Sequence, residues 1–130
     1  MTLLVNLIGN LAADPELRVT TDGEAVANFT VMSNERYRDT TTGEWRDGRT
    51  TAVRVAAWGQ LGENVADSLR RGDPVTVSGR RIEAEAYLTR DGAPAAALVL
   101  RADTVAFPLT RHSLQATRNT RLATPETAQA

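Results

Sequence analysis

At the start of the chain apolar residues follow one another on both faces of an extended segment, with Leu3, Val5 and Leu7 opposed by Leu4, Asn6 and Ile8. A period of two predicts a strand, and apolar content on both sides predicts one that is covered twice. "ADPE" (13–16) then reads as a turn, because Pro15 fixes φ and Asp14 can bond the nearby backbone. From Leu17 the pattern reads as strand, turn at Asp22-Gly23, strand, with Val26, Asn28, Thr30 and Met32 opposing Ala27, Phe29, Val31 and Ser33. The stretch "SNERYRDTTTGEWRDG", Ser33 to Gly48, shows no apolar period and reads as a polar connection before the next strand, "TTAVRVAAW". At "GQLGENVADSLRRGD" the period changes: Leu61, Val65 and Leu69 recur every four residues, Ala66 widens the stripe, and Gly72 is a stop signal. Alternation resumes in "PVTVSGRRIEAEAYL", turns at "TRDGAP", and closes with "AAALVLRADTVAF".

Five strands with one short helix between the third and fourth is the order of an all-β OB-fold, a five-stranded Greek-key barrel whose binding face lies on its second and third strands. A chain of 130 residues fits one such domain, assigned to residues 1–108 as the binding and oligomerisation unit. Beyond Leu109 the periodicity ends and Thr, Ala, Asn and Gln dominate, so residues 109–130 are expected to form a disordered tail. The opening "MTLLVNLIGNLAA" lacks a basic leader region and is too short and too interrupted to span a bilayer, which points to a cytoplasmic protein with no membrane partner.

Hydrophobic residues make up 42% of the chain but aromatics only 5%, so the core must be built from Val, Leu, Ala and Ile, and each ring needs its own explanation. Tyr37, Trp45, Trp58 and Tyr87 are interleaved with Arg18, Arg36, Arg38, Arg46, Arg49, Arg54, Arg71 and Arg80. Unpaired nucleic acid needs such a mixture, since its bases stack on rings while guanidinium groups neutralise the phosphates between them. The competing reading packs Trp58 over the helix and makes Tyr87 an edge-strand residue. Tyr37 and Trp45 have less core to join, although a loop Trp can also pack on a neighbouring subunit. All 15 basic residues are Arg, which suits phosphate and base contacts but also follows from a GC-rich genome.

Glu83 and Glu85 point to one face of a strand, but no third acid or His accompanies them, so a solvated strand face is the reading preferred over acid–base work or cation binding. With no Cys and a single His, His112, neither a zinc site nor a nucleophilic triad has its materials, and no phosphate-cradling Gly-rich loop is present. The expectation is a protein that is not an enzyme and needs no cofactor or metal.

The segment "VNLIGNLAADPELRVTTDGEAVANFTVMSNERYRDTTTGEWRDG", followed by "VRVAAWGQLGENVADSLRRGDPVTVSGR", resembles the bacterial single-stranded DNA-binding protein family, in its actinobacterial form, over about residues 1–107. The resemblance implies an OB-fold that assembles into a homotetramer, with the two-faced first strand as an inter-subunit contact. It also implies sequence-independent coating of single-stranded DNA in replication, recombination and repair, at the nucleoid. Position by position it places stacking rings at Tyr37, Trp58 and Tyr87, an aromatic loop residue at Trp45, and basic contacts at Arg18, Arg38, Arg54 and Arg71; Arg46, Arg49 and Arg80 complete the expected binding set. Three departures stand out. Thr51, Ala52 and Val53 stand where members often carry a large apolar or aromatic residue, Glu83 and Glu85 replace basic residues and predict weaker or more salt-sensitive binding, and "RLATPETAQA" lacks the acidic tip that recruits the family's protein partners. The chain therefore resembles a paralogue without that tip. The alternative is an assembly or scaffold module that docks proteins and has weakened DNA affinity.

Overall fold

The computed structural model describes residues 3–119. Eight strands and one helix follow in the order β1 (Val5–Leu11), β2 (Glu16–Val19), β3 (Ala25–Arg38), β4 (Trp45–Trp58), α1 (Gln60–Ser68), β5 (Pro74–Gly79), β6 (Arg81–Leu88), β7 (Pro94–Arg101) and β8 (Thr104–Ala106). They pair as β6-β7-β4-β3-β1-β5-β8, with β2 added beside β3. Only Arg80 separates β5 from β6, and only Ala102 and Asp103 separate β7 from β8, so the two ends of this order are covalent continuations of each other. The sheet therefore closes into a barrel. β7 runs parallel to β4, and past the corner Ala102 N–H donates to Ala56 O at 2.9 Å while Asp103 N–H donates to Ser78 O at 2.8 Å, carrying the path from one neighbour to the other. The expected five strands are present as five paths, two of them broken at this corner, and the short β2 beside β3 is a sixth. Gly79 is required there, because a Cβ would drive into the Arg101 carbonyl.

The core follows the alternation seen in the sequence. Phe29 and Val31 of β3, Val53 and Val55 of β4, Val75 and Val77 of β5 and Leu100 of β7 are buried together, and Val65 and Leu69 close one end of the barrel. Phe29 is the single ring among the buried core residues, as the aromatic-poor composition requires. The helix stops earlier than Gly72 suggests. Leu69 is already extended (φ −106°, ψ 147°), which lets its side chain sink into the core, and Gly72 forms the following turn at φ 88°. Arg70 covers the helix end by donating from Nη1 to Ala66 O and Leu69 O, both at 2.7 Å.

The polar connection expected over Ser33–Gly48 is mostly strand. β3 and β4 are each 14 residues long and continue as a two-stranded arm, leaving a loop of numbers 39–44 only. Asp39 builds that loop: its Oδ1 accepts from Thr41 N–H at 2.8 Å and Thr42 N–H at 3.4 Å, and its carbonyl accepts from Gly43 N–H at 2.7 Å. After β8 the described residues carry no regular structure, but they are not detached. His112 meets the edge of Phe107 with centroids 5.1 Å apart, and Asn64 Nδ2 donates to Asn119 Oδ1 at 3.0 Å across α1. The rest of the expected tail, residues 120–130, lies outside the described residues.

Candidate nucleic-acid interface

Strand alternation turns Asn28, Thr30, Arg54, Ala56 and Trp58 outward from β3 and β4. Pairing then extends this face sideways. Arg54 lies beside Val99, which opposes Glu83; Ala56 lies beside Arg101, which opposes Arg81; Glu85 and Tyr87 follow Glu83 on the same side of β6. On the other flank β2 brings Glu16 opposite Asn28 and Arg18 opposite Val26, the residue that also pairs with Trp58. Residues separated by up to 85 positions thus share one open sheet surface.

Two ring–guanidinium pairs mark this surface. The Arg54 guanidinium carbon lies 5.4 Å from the Tyr87 ring centroid, and that of Arg101 lies 5.4 Å from the Trp58 ring. Both distances fall within cation–π range, which holds a planar cation and a planar ring at one place on a solvated face. Trp58 is half-buried and Tyr87 is 43% exposed, so each ring is anchored yet reachable. Beside the Arg54–Tyr87 pair lies an open groove of about 480 Å³ whose lining includes Asn28, Thr30, Arg18, Arg54, Glu16 and Glu85. A flat base can stack on such rings, and a guanidinium released from a ring can meet the adjoining phosphate.

The arm carries the other two rings, on opposite faces. The register of β3 and β4 shifts between Asn34 and Arg36, with the extra residue in β4 near Gly48 and Arg49. Beyond the shift Tyr37 opposes Arg46, whereas Arg38 opposes Trp45 and Arg36 opposes Asp47. Directly opposed residues share a face, so Tyr37 and Arg46 lie on one side and Arg36, Arg38 and Trp45 on the other. Tyr37 is 52% and Trp45 63% exposed. Arg46 is tied to the loop, its Nε 2.9 Å from Asp39 Oδ2, and Arg36 Nε sits 3.6 Å from Asp47 Oδ1. Asp39 is held below the usual carboxylate range by the Thr41 N–H above all, then by Thr42 and Arg46.

The expected site residues therefore fall into three groups. Arg18, Arg54, Trp58 and Tyr87 are brought together on the sheet face; Tyr37, Arg38, Trp45, Arg46 and Arg49 stand on the arm; Arg71 and Arg80 lie elsewhere. Arg71 is in the turn after α1, where its backbone N–H donates to Asp14 Oδ1 at 2.8 Å. Arg80 stands at the barrel corner with its Nε 3.0 Å from Asp103 Oδ2, an ion pair that raises Arg80 and lowers Asp103 chiefly through their hydrogen bond. Arg101, which stands over the Trp58 ring, and Arg81, which pairs with Arg101, were absent from the expected set. Their position depends on the parallel β4–β7 contact, and no local pattern reports it.

Comparison with known proteins agrees with this geometry. The family model described as the single-strand binding protein family matches residues 4–108. A single-stranded DNA-binding protein of Mycobacterium tuberculosis is 51% identical over 88 residues, covering 68% of this chain and 53% of the relative. One from Paenarthrobacter aurescens is 44% identical over 101 residues, covering 78% and 58%. The chain thus spans about half the length of the curated relatives it matches. The crystal structure of the small single-stranded DNA-binding protein from Streptomyces coelicolor superimposes with a TM-score of 0.74 at 30% identity, over 85% of this chain and 98% of that one. With a barrel of this topology, and a family model that spans the whole of it, the chain belongs to the single-strand binding protein family.

Proposed function

We propose that the chain binds and coats single-stranded DNA without requiring a defined sequence, and that it carries out no chemical step. Bases stack on Trp58, Tyr87 and a ring of the arm, while Arg18, Arg54, Arg101 and the arm arginine on that ring's face, Arg46 beside Tyr37 or Arg38 beside Trp45, follow the phosphates. The observation that carries this reading is the pairing of two anchored, reachable rings with two guanidinium groups across one open sheet face. Membership of the family and the names of its relatives support the same reading. On it the protein acts wherever replication, recombination or repair exposes unpaired DNA, which places it at the nucleoid. Self-association belongs to the reading as well, supported by the apolar outer side of β1, where Leu4 and Ile8 are 62% and 67% exposed.

The test is titration with oligothymidylate while tryptophan emission is followed. Stacking quenches the emission, salt reverses the binding, and Trp58→Ala or Tyr87→Ala each weakens it by about five- to a hundredfold, the range of a single base stack. Absence of both quenching and a mobility shift at low salt would overturn the reading and leave assembly as the role of the barrel.

A further inference from the structure

The groove beside the Arg54–Tyr87 pair has the wrong charge for a phosphate channel. Three carboxylates, Asp14, Glu16 and Glu85, line it against two guanidinium groups, Arg18 and Arg54. Most of these are engaged. Arg18 Nη2 is 3.4 Å from Glu16 Oε2, Asp14 Oδ1 accepts the Arg71 backbone N–H, and Arg54 covers Tyr87. Glu85 alone among the three acids makes no hydrogen bond or ion pair with the described residues. It stands two positions from Tyr87 on the same side of β6, roughly 7 Å along the strand. That spacing is comparable to the width of a base, so a base stacked on Tyr87 can lie with its edge against Glu85.

We infer that Glu85 biases the groove toward bases that carry amino groups, namely cytosine, adenine and guanine, and against thymine and uracil. The inference rests on the single-strand binding proposed above. The carboxylates hold phosphates to the guanidinium side of the groove, at Arg18 and Arg54, which turns the bases toward Glu85. A carboxylate only accepts hydrogen bonds. Cytosine offers it the N4 amino group and adenine the N6 amino group, and guanine offers N1–H and N2–H side by side. Thymine and uracil offer one N–H flanked by two carbonyl oxygens, whose lone pairs face the carboxylate and repel it. Preference among strands then arises from an acid on the binding face rather than from the rings, which stack on any base.

Oligo(dC) and oligo(dU) of equal length differ only in this donor and acceptor edge, and so isolate it from the thymine methyl group. Binding of both to the full chain is measured at pH 8 and low salt, for the natural sequence, Glu85→Gln and Glu83→Gln. Glu83 shares the strand and the charge of Glu85 but does not line the groove. The natural chain is expected to bind oligo(dC) about five- to tenfold more tightly, the lower end of the discrimination given by one base-edge contact. Glu85→Gln brings the ratio close to one, because an amide both donates and accepts, whereas Glu83→Gln tightens both oligonucleotides and keeps the ratio. Equal binding of oligo(dC) and oligo(dU) by the natural chain, or an equal change of ratio in both variants, overturns the inference while single-strand binding stands. Failure to bind either oligonucleotide overturns both.

Discussion

Tyr37 and Trp45 share a polar segment and a two-stranded arm, yet their side chains leave it in opposite directions. On the proposed reading, a strand lying along one side of the arm reaches only one of them. Tyr37→Ala and Trp45→Ala are therefore expected to act unequally: one weakens oligonucleotide binding about fivefold or more, within the range of a stacked base, and the other changes it less than twofold. Equal losses in a fluorescence or mobility titration would show that the strand wraps both sides. The rings themselves were legible in the sequence because an aromatic among Thr, Gly and Arg has no local core to join. Their division between two faces was not, since it depends on one residue of register near Gly48. Arg101 was hidden for the same kind of reason, its ring partner being 43 positions away across a parallel contact.

At the scale of elements, the helix and the barrel strands were legible because each has a buried face that imposes a period. The arm has none. Its strands are solvated on both sides from Arg36 outward, so the sequence shows no alternation, and pairing is sustained by cross-strand contacts and by the Asp39 loop. That loop gives the arm a pH dependence. Asp39 is held below its ordinary value by Thr41 N–H and its other partners, so its contribution to arm order is present above the unfolded carboxyl value near about pH 4 and is lost as pH falls through its lowered value. Amide exchange at Thr41, Thr42 and Gly43 should accelerate, relative to the barrel, as pH falls through this window. Asp39→Asn should remove the transition. An acid-insensitive loop would show that strand pairing alone holds the arm.

For the whole molecule, the five-strand order was enough to suggest the barrel, while its closure depends on a corner that no alternation marks, at Gly79, Arg80 and Asp103. The same closure leaves one side of the barrel unfinished. β1 pairs with β3 only through Asn10 and Leu11, with Gly9 packed close against the Met32 backbone, so among the described residues the edge of residues 5–8 that faces away from β5 has no strand beside it. Leu4 and Ile8 flank this stretch on its outer side, exposed to solvent. An open strand edge next to large apolar side chains is an association surface unless something covers it, and a second copy of the chain supplies a matching edge. Ile8→Glu places a charge there without touching the core. Sedimentation should then report a smaller species, while the far-ultraviolet circular dichroism of the barrel is unchanged. Oligonucleotide affinity should fall most for strands long enough to span two subunits, because linkage between sites is what the variant removes. An unchanged mass would place self-association on another face, and a lost spectrum would show that the barrel needs this contact to fold.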